Sequence, residues 1–325
     1  MLAAYINEFG PADFIRFGAL PDPRPGAHDV LVDVEATTAN HVDTFIRSGA
    51  VDTPVEFPFV VGRDLVGRVA AVGSEVTGFE VDERVWCNSL GHSGRQGAAA
   101  ERAAVPAERL YRLPDGVAPH TAVTLVHPAA TAYLGLVTHG RLRFGETVVV
   151  IGAAGNVGAA MVVIAVREGA RVVAVARARD AAYCRDLGAD VVVESDRDDL
   201  GARLARACPE GVDVYADAAG VNDLSTAVGL LARRGRVVLL AGLHTTPVLP
   251  AGPLYVADRS VVGFAITGAT ADELAQAARC VNGLLAGGRL RPREVRVLPL
   301  SATAEAHRML ETGELHGRRV ALTTA

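Results

Sequence analysis

The sequence predicts an α/β protein with two domains: one mostly β, the other a doubly wound parallel sheet. Three observations lead there. A chain of 325 residues is longer than one core needs. Residues 1 to about 120 read as short β-like runs broken by Gly and Pro. From Pro119 onward, Ala/Val/Leu-rich helical stretches alternate with strands that are apolar throughout, and strands apolar on both faces belong in a parallel sheet covered on both sides.

In the first part the strand-like runs are 30–36, 65–72 and 83–86, with the turn-rich Leu20-Pro-Asp-Pro-Arg-Pro-Gly26 ahead of them. The second part places strands at 147–151, 172–176, 191–193, 212–216 and 236–240, and a sixth at 260–266. A helix over 271–286, a strand near 295–298, a helix around 303–312 and a strand at 319–322 finish the chain. No repeat or low-complexity linker separates the two parts, so a hinged boundary with a ligand-accepting cleft is expected.

Composition removes several function classes. The 32 basic residues against 37 acidic ones give a net charge of -5, which argues against nucleic acid as a partner. With 50% hydrophobic and 21% charged residues the chain is not a disordered one. Every basic residue is Arg and none is Lys, so Schiff-base chemistry and a lysine base are excluded. Cys87, Cys184, Cys208 and Cys280 lie too far apart in sequence to suggest a disulfide framework or a zinc knuckle. The N-terminus lacks a basic stretch followed by an apolar one, and no apolar run reaches membrane-spanning length, so a soluble cytoplasmic protein without a membrane partner is expected.

The strongest local signal is Thr147-Val-Val-Val-Ile-Gly-Ala-Ala-Gly-Asn-Val-Gly158, followed by a helical run over 159–168. Ala154, Gly155, Asn156, Val157 and Gly158 form the expected phosphate-binding turn: Gly155 lets backbone approach a pyrophosphate, Gly158 lets the helix pack on the strand, and the helix N-terminus attracts negative charge. Against Gly-x-Gly-x-x-Gly the register is Ala153-x-Gly155-x-x-Gly158, so the first glycine is missing. The alternative, a tight strand-to-helix turn and nothing more, is outweighed by the buried strand before it and the second strand after it, as a Rossmann unit requires. That second strand ends in Ala176-Arg177-Ala178-Arg179, without the acidic residue that would take the ribose hydroxyl of NAD. Arg177 and Arg179 suit a 2′-phosphate and point to NADPH. The ordinary alternative is that both are solvated and that Asp180 bonds a ribose.

Taken end to end, the chain resembles the zinc-free, zeta-crystallin-like NADPH:quinone oxidoreductases of the medium-chain dehydrogenase/reductase superfamily. Asn40-His-Val-Asp-Thr-Phe-Ile-Arg-Ser-Gly49 is similar to the family's Asn-x-x-Asp-x-Tyr-x-Arg-x-Gly segment, and Val61-Gly-Arg-Asp-Leu-Val-Gly-Arg-Val69 to its Gly-x-Glu/Asp-x-x-Gly-x-Val segment. Thr131-Ala-Tyr133, Leu187-Gly-Ala-Asp190, Ala304-Glu-Ala-His307 and Gly317-Arg318 follow in the family's order. The resemblance implies a GroES-like mostly-β domain from residues 1–121 and 267–325, with a Rossmann domain at 122–266. It also implies a homodimer, paired through the edge strand 260–266.

The same resemblance implies site residues. Asn40 and Thr131 would lie near the nicotinamide, where their ordinary alternative is capping. Gly242, Leu243, Phe264, Ile266 and Arg318 would add to the cofactor site, and His41, Phe45 and His127 would line a substrate pocket. In the superfamily's zinc alcohol dehydrogenases a Cys occupies the Asn40 position, a His the Arg63 position and a Cys roughly the His127 position. Only His127 suits zinc here, so no metal is expected. Without a Lewis acid the acceptor must be a small molecule electrophilic on its own, a quinone or an α,β-unsaturated carbonyl compound. The proton donor is unassigned, because Phe45 replaces the usual Tyr and no Lys is present. Histidines 41, 92, 127 and 244 are candidates, with His41 and His127 ranked first beside Asn40 and Thr131. Two alternatives stay open: a tailoring enzyme of the same fold acting on a biosynthetic intermediate, and a non-catalytic NADPH-binding protein.

Overall fold

In the computed structural model, which describes residues 1–324, β-branched runs with alternating burial build the first sheet. Val30, Val32 and Val34 on strand Asp29–Thr38 face inward against Leu65, Val69, Val85 and Val105. Strands follow the order Val295–Pro299, Arg319–Thr323, Asp29–Thr38, Leu65–Val72, Arg84–Cys87, Tyr111–Arg112, and Arg102–Pro106 also pairs with Asp29–Thr38. A smaller antiparallel sheet sets Leu2–Ile6 between Arg16–Ala19 and Phe59–Val60. Its apolar face packs against Met309 and Leu310 of helix Thr303–Glu311. These elements form one unit, residues 1–127 with 274 to the C-terminus, and residues 128–273 form a second.

Helix His41–Ser48 in the first unit begins at Asn40, whose backbone N–H donates to the Asp43 carboxylate at 2.7 Å. Arg47, 2% exposed, anchors the helix by donating to the Gly10 carbonyl at 3.0 Å and to both Glu311 oxygens at 3.3 and 2.5 Å. The residue that opens this helix is thereby held in a defined place.

The second unit is a six-stranded parallel sheet. Its order is Val191–Glu194, Arg171–Ala176, Thr147–Ile151, Val212–Asp217, Leu231–Leu239, Ser260–Gly263. The first strand in sequence lies inside the sheet, two successors extend one way and three the other, so the order reverses between Thr147–Ile151 and Val212–Asp217. Ligands of doubly wound sheets bind at such a reversal. Val149, Val173, Tyr215 and Val237 meet Leu204 and Val228 in its core.

Several bounds differ from the sequence reading, among them strand Leu231–Leu239, which starts five residues before the expected 236. The helix after the glycine turn starts at Asn156, not at residue 159. The sixth strand stops at Gly263, because its partner ends at Leu239: Phe264 N–H to Leu239 C=O, 3.1 Å, is the last bond before the turn Ile266–Gly268. Among the described residues, no helix is long and apolar enough to cross a membrane.

Candidate functional site

In the parallel-sheet unit, strand Thr147–Ile151 turns into helix Asn156–Arg167 through Gly152, Ala153, Ala154 and Gly155. The left-handed conformation the turn needs falls on Gly152, at φ +74°. Against Gly-x-Gly-x-x-Gly the first glycine is still replaced by Ala153, and the left-handed residue lies one position earlier, giving Gly152-x-x-Gly155-x-x-Gly158. A Cβ on Gly158 would sit 2.2 Å from the Gly152 carbonyl oxygen, so only glycine lets helix and turn approach. Asp217 accepts the N–H groups of Ala219, Gly220 and Asn222 at 2.6–2.9 Å, shaping the neighbouring turn across the reversal. A Cβ on Gly152 would lie 3.1 Å from Ala219 Cβ. This floor of close backbone at a helix N-terminus fits a dinucleotide pyrophosphate.

Arg177 and Arg179 follow strand Arg171–Ala176 and are exposed. Arg179 lies 3.8 Å from the Asp180 carboxylate. The segment is held by Ser195 N–H to Ala176 C=O at 2.7 Å and Ala178 N–H to Asp196 at 3.2 Å. Gly242 and the exposed Leu243 follow strand Leu231–Leu239. Phe264 stacks on His139 at 4.6 Å, and Ile266 is buried. Thr131 is buried on helix Val126–Tyr133, and His244 is exposed.

In the first unit, Asp64 joins Asn40 to His127. Its Oδ2 accepts the Asn40 Nδ2–H at 2.7 Å, and its Oδ1 lies 3.2 Å from His127 Nδ1. His127 Nδ1 is also 3.2 Å from the Asn88 carbonyl. Facing two acceptors, Nδ1 carries a proton. Asp64 is fully buried and His127 is 6% exposed. Burial alone would lower the His127 pKa, but the Asp64 charge and hydrogen bond outweigh it, and the net shift is upward. The Asp43 carboxyl is pushed up to about 7, by burial and then by the Asp64 charge.

His41 is exposed on the first turn of helix His41–Ser48, with the half-buried Phe45 one turn along. Desolvation lowers the His41 pKa, and Glu311 only partly offsets it. His92 is lowered by burial and bonds the Ser89 carbonyl at 2.7 Å. Of His41, His92 and His127, the shift favours the charged form only at His127. Arg318 is not part of this cluster; it donates to the Leu315 and Glu314 carbonyls. Asp64 joins this candidate site through contacts distant in sequence; its local signal is the acidic position of Gly62-Arg-Asp64, in the segment similar to the family's Gly-x-Glu/Asp-x-x-Gly-x-Val.

The residues that would answer to a zinc site do not fit one. Asn40 offers an amide committed to Asp64, Arg63 offers a fixed cation, and only His127 is a good ligand type. Among the described residues no group of three His, Cys, Asp or Glu side chains is placed to hold a metal ion.

The comparisons with known proteins agree with this two-part layout. The alcohol dehydrogenase GroES-like domain family matches residues 26–115, and the zinc-binding dehydrogenase family matches residues 156–282. Mouse quinone oxidoreductase is 29% identical over 312 residues, covering 94% of this chain and 93% of the mouse protein. The structure of mycobacterial Rv1454c complexed with NADPH superposes with a TM-score of 0.85 at 28% identity, over 99% of this chain and 100% of that one. An NAD-dependent alcohol dehydrogenase superposes with a TM-score of 0.88 at 28% identity, over 100% of both chains.

Proposed function

Because this chain belongs to the medium-chain dehydrogenase/reductase family, as a quinone oxidoreductase-like oxidoreductase, we propose that it is a metal-independent reductase passing hydride from NADPH to a quinone or an α,β-unsaturated carbonyl compound. The observation that carries this reading is Asp64 bonded to both Asn40 and His127, in a donor set that does not suit zinc. The bound dihydronicotinamide supplies the hydride. Gly152 to Gly158 and the helix after them hold the pyrophosphate, and Arg177 and Arg179 grip the 2′-phosphate. Asp64 fixes the Asn40 amide and the His127 ring. With its cationic form favoured, His127 releases a proton from Nε2 to the oxyanion left by hydride addition.

The test follows the loss of reduced-nicotinamide absorbance with a panel of simple quinones and enones. Turnover with NADPH supports the reading. Tight NADPH binding with no acceptor reduced would instead favour a binding protein. Replacing Arg177 and Arg179 together by Ala weakens NADPH about tenfold or more while sparing NADH; equal losses would mean these arginines do not read the phosphate. A homodimer joined through the edge strand Ser260–Gly263 belongs to the same proposal, and light scattering that shows monomer alone overturns that part.

A further inference from the structure

Arg63 is a buried cation without a counterpart. It is 2% exposed, yet among the described residues its guanidinium makes no hydrogen bond or ion pair, and its Nε is buried without an acceptor. Neither carboxylate in electrostatic reach bonds to it. Asp64 gives one oxygen to Asn40 and the other to His127, while Asp43 accepts the Asn40 N–H with Oδ2 and keeps a buried Oδ1 that bonds to nothing, Arg63 included. Arg109, also in reach, brings a second guanidinium whose Nε is buried without a hydrogen bond. Asn88 adds a buried, unpartnered amide oxygen. His127 is paired with Asp64, and Arg109 has the Glu108 carboxylate at 3.9 Å, so among the described residues Arg63 is the cation of this group that has neither an ion pair nor a hydrogen bond.

Such a site is completed by an oxygen carrying partial or full negative charge. A guanidinium stays protonated even when burial lowers its pKa, and its planar fork suits a carbonyl or oxyanion. We propose that Arg63 binds the carbonyl oxygen of the acceptor and stabilises the oxyanion formed on it, a fixed cation acting where a metal-dependent relative would use a Lewis acid. This rests on the reductase reading for its substrate class. Hydride adds to the carbon conjugated with the carbonyl, the π electrons move onto oxygen beside Arg63, and a proton then completes the reduced product while NADPH becomes NADP⁺. The acceptor must therefore carry a carbonyl oxygen conjugated with the reducible bond. An isolated alkene offers Arg63 nothing.

The test has two arms on the full-length protein. In the first, 4-nitrophenol is titrated without turnover and its ionisation is followed by absorbance. Wild type binds the phenolate and lowers the apparent pKa of the probe by about one unit or more, and Arg63→Met abolishes that shift. In the second, Arg63→Met lowers kcat with quinone or enone about 100-fold while the Kd for NADPH stays at the wild-type value. Wild-type kcat in the variant, or a nitrophenol shift that is absent in wild type or equal in both proteins, overturns the proposal. If wild type reduces no acceptor, the reductase reading fails and the phenolate arm still decides the site. If Arg63→Met loses NADPH binding through misfolding, Arg63→Gln carries both arms with the same expected outcomes.

Discussion

Replacing Asp43 by Asn should stabilise the protein in alkaline solution and do progressively less as the pH falls. Asp43 is 2% exposed, and its carboxyl sits at about 7 against an ordinary 3.8. Burial is the larger cause, the Asp64 charge the second; Asn40, His127 and Arg63 pull the other way. The folded protein therefore holds this proton through a pH range in which the unfolded chain has released it. Stability falls as pH rises through the window from about 4 to about 7, and the penalty is complete above it. At about 1.4 kcal/mol per unit, three units amount to about 4 kcal/mol near pH 8 and less than about 2 kcal/mol near pH 5. Asn keeps an oxygen for the Asn40 N–H and removes the charge. Scanning calorimetry at several pH values, following the transition of the unit that contains helix His41–Ser48, reads the difference. A variant no more stable than wild type near pH 8, or an advantage that does not shrink toward pH 5, would refute the electrostatic account of this cluster.

Three other changes test the remaining parts. Asp64→Asn leaves burial to dominate at His127, so the imidazole titrates below its ordinary pKa and the alkaline limb of the kcat profile moves to lower pH; an NMR titration of the ring that matches wild type would sink this. The native ion pair contributes stability that is present below the unfolded histidine pKa and lost as pH climbs through the raised folded value. Arg236→Met removes a 6%-exposed guanidinium that donates to Glu146, to the Gly140 and Arg141 carbonyls and to Asp213. The parallel-sheet unit should lose about 3–5 kcal/mol in urea unfolding, and a loss under about 1 kcal/mol would contradict the assignment. Gly158→Ala forces a Cβ to 2.2 Å from the Gly152 oxygen. NADPH binding measured by cofactor fluorescence should weaken at least about tenfold, and unchanged binding would mean the turn does not hold the phosphates.

What was legible in the sequence and what was not divides by the range of the interaction. The inner parallel strands announced themselves because they bury both faces, so composition over five or six residues suffices: the strands lie within a residue of the runs read from the chain, apart from Leu231–Leu239, which starts five residues earlier, and the edge strand Ser260–Gly263, which stops three residues sooner. The glycine turn was visible, but not that its left-handed residue is Gly152, which lies one position ahead of the Ala153-x-Gly155-x-x-Gly158 register. The Asn40, Asp64 and His127 network was out of reach. Asp64 is 24 residues from one partner and 63 from the other, and no local pattern reports that separation. Read one at a time, Asn40 and Arg63 stand where metal ligands are absent and His127 where a single suitable one remains. Read with Asp64 between Asn40 and His127, and with the Arg63 guanidinium lacking an acceptor, they are a charged site of their own. A substitution that removes a ligand leaves a cavity or a stray polar group. Here one of the three replacements is a permanent cation buried beside an engaged carboxylate, a costly arrangement to keep unless an oxygen from outside the chain completes it.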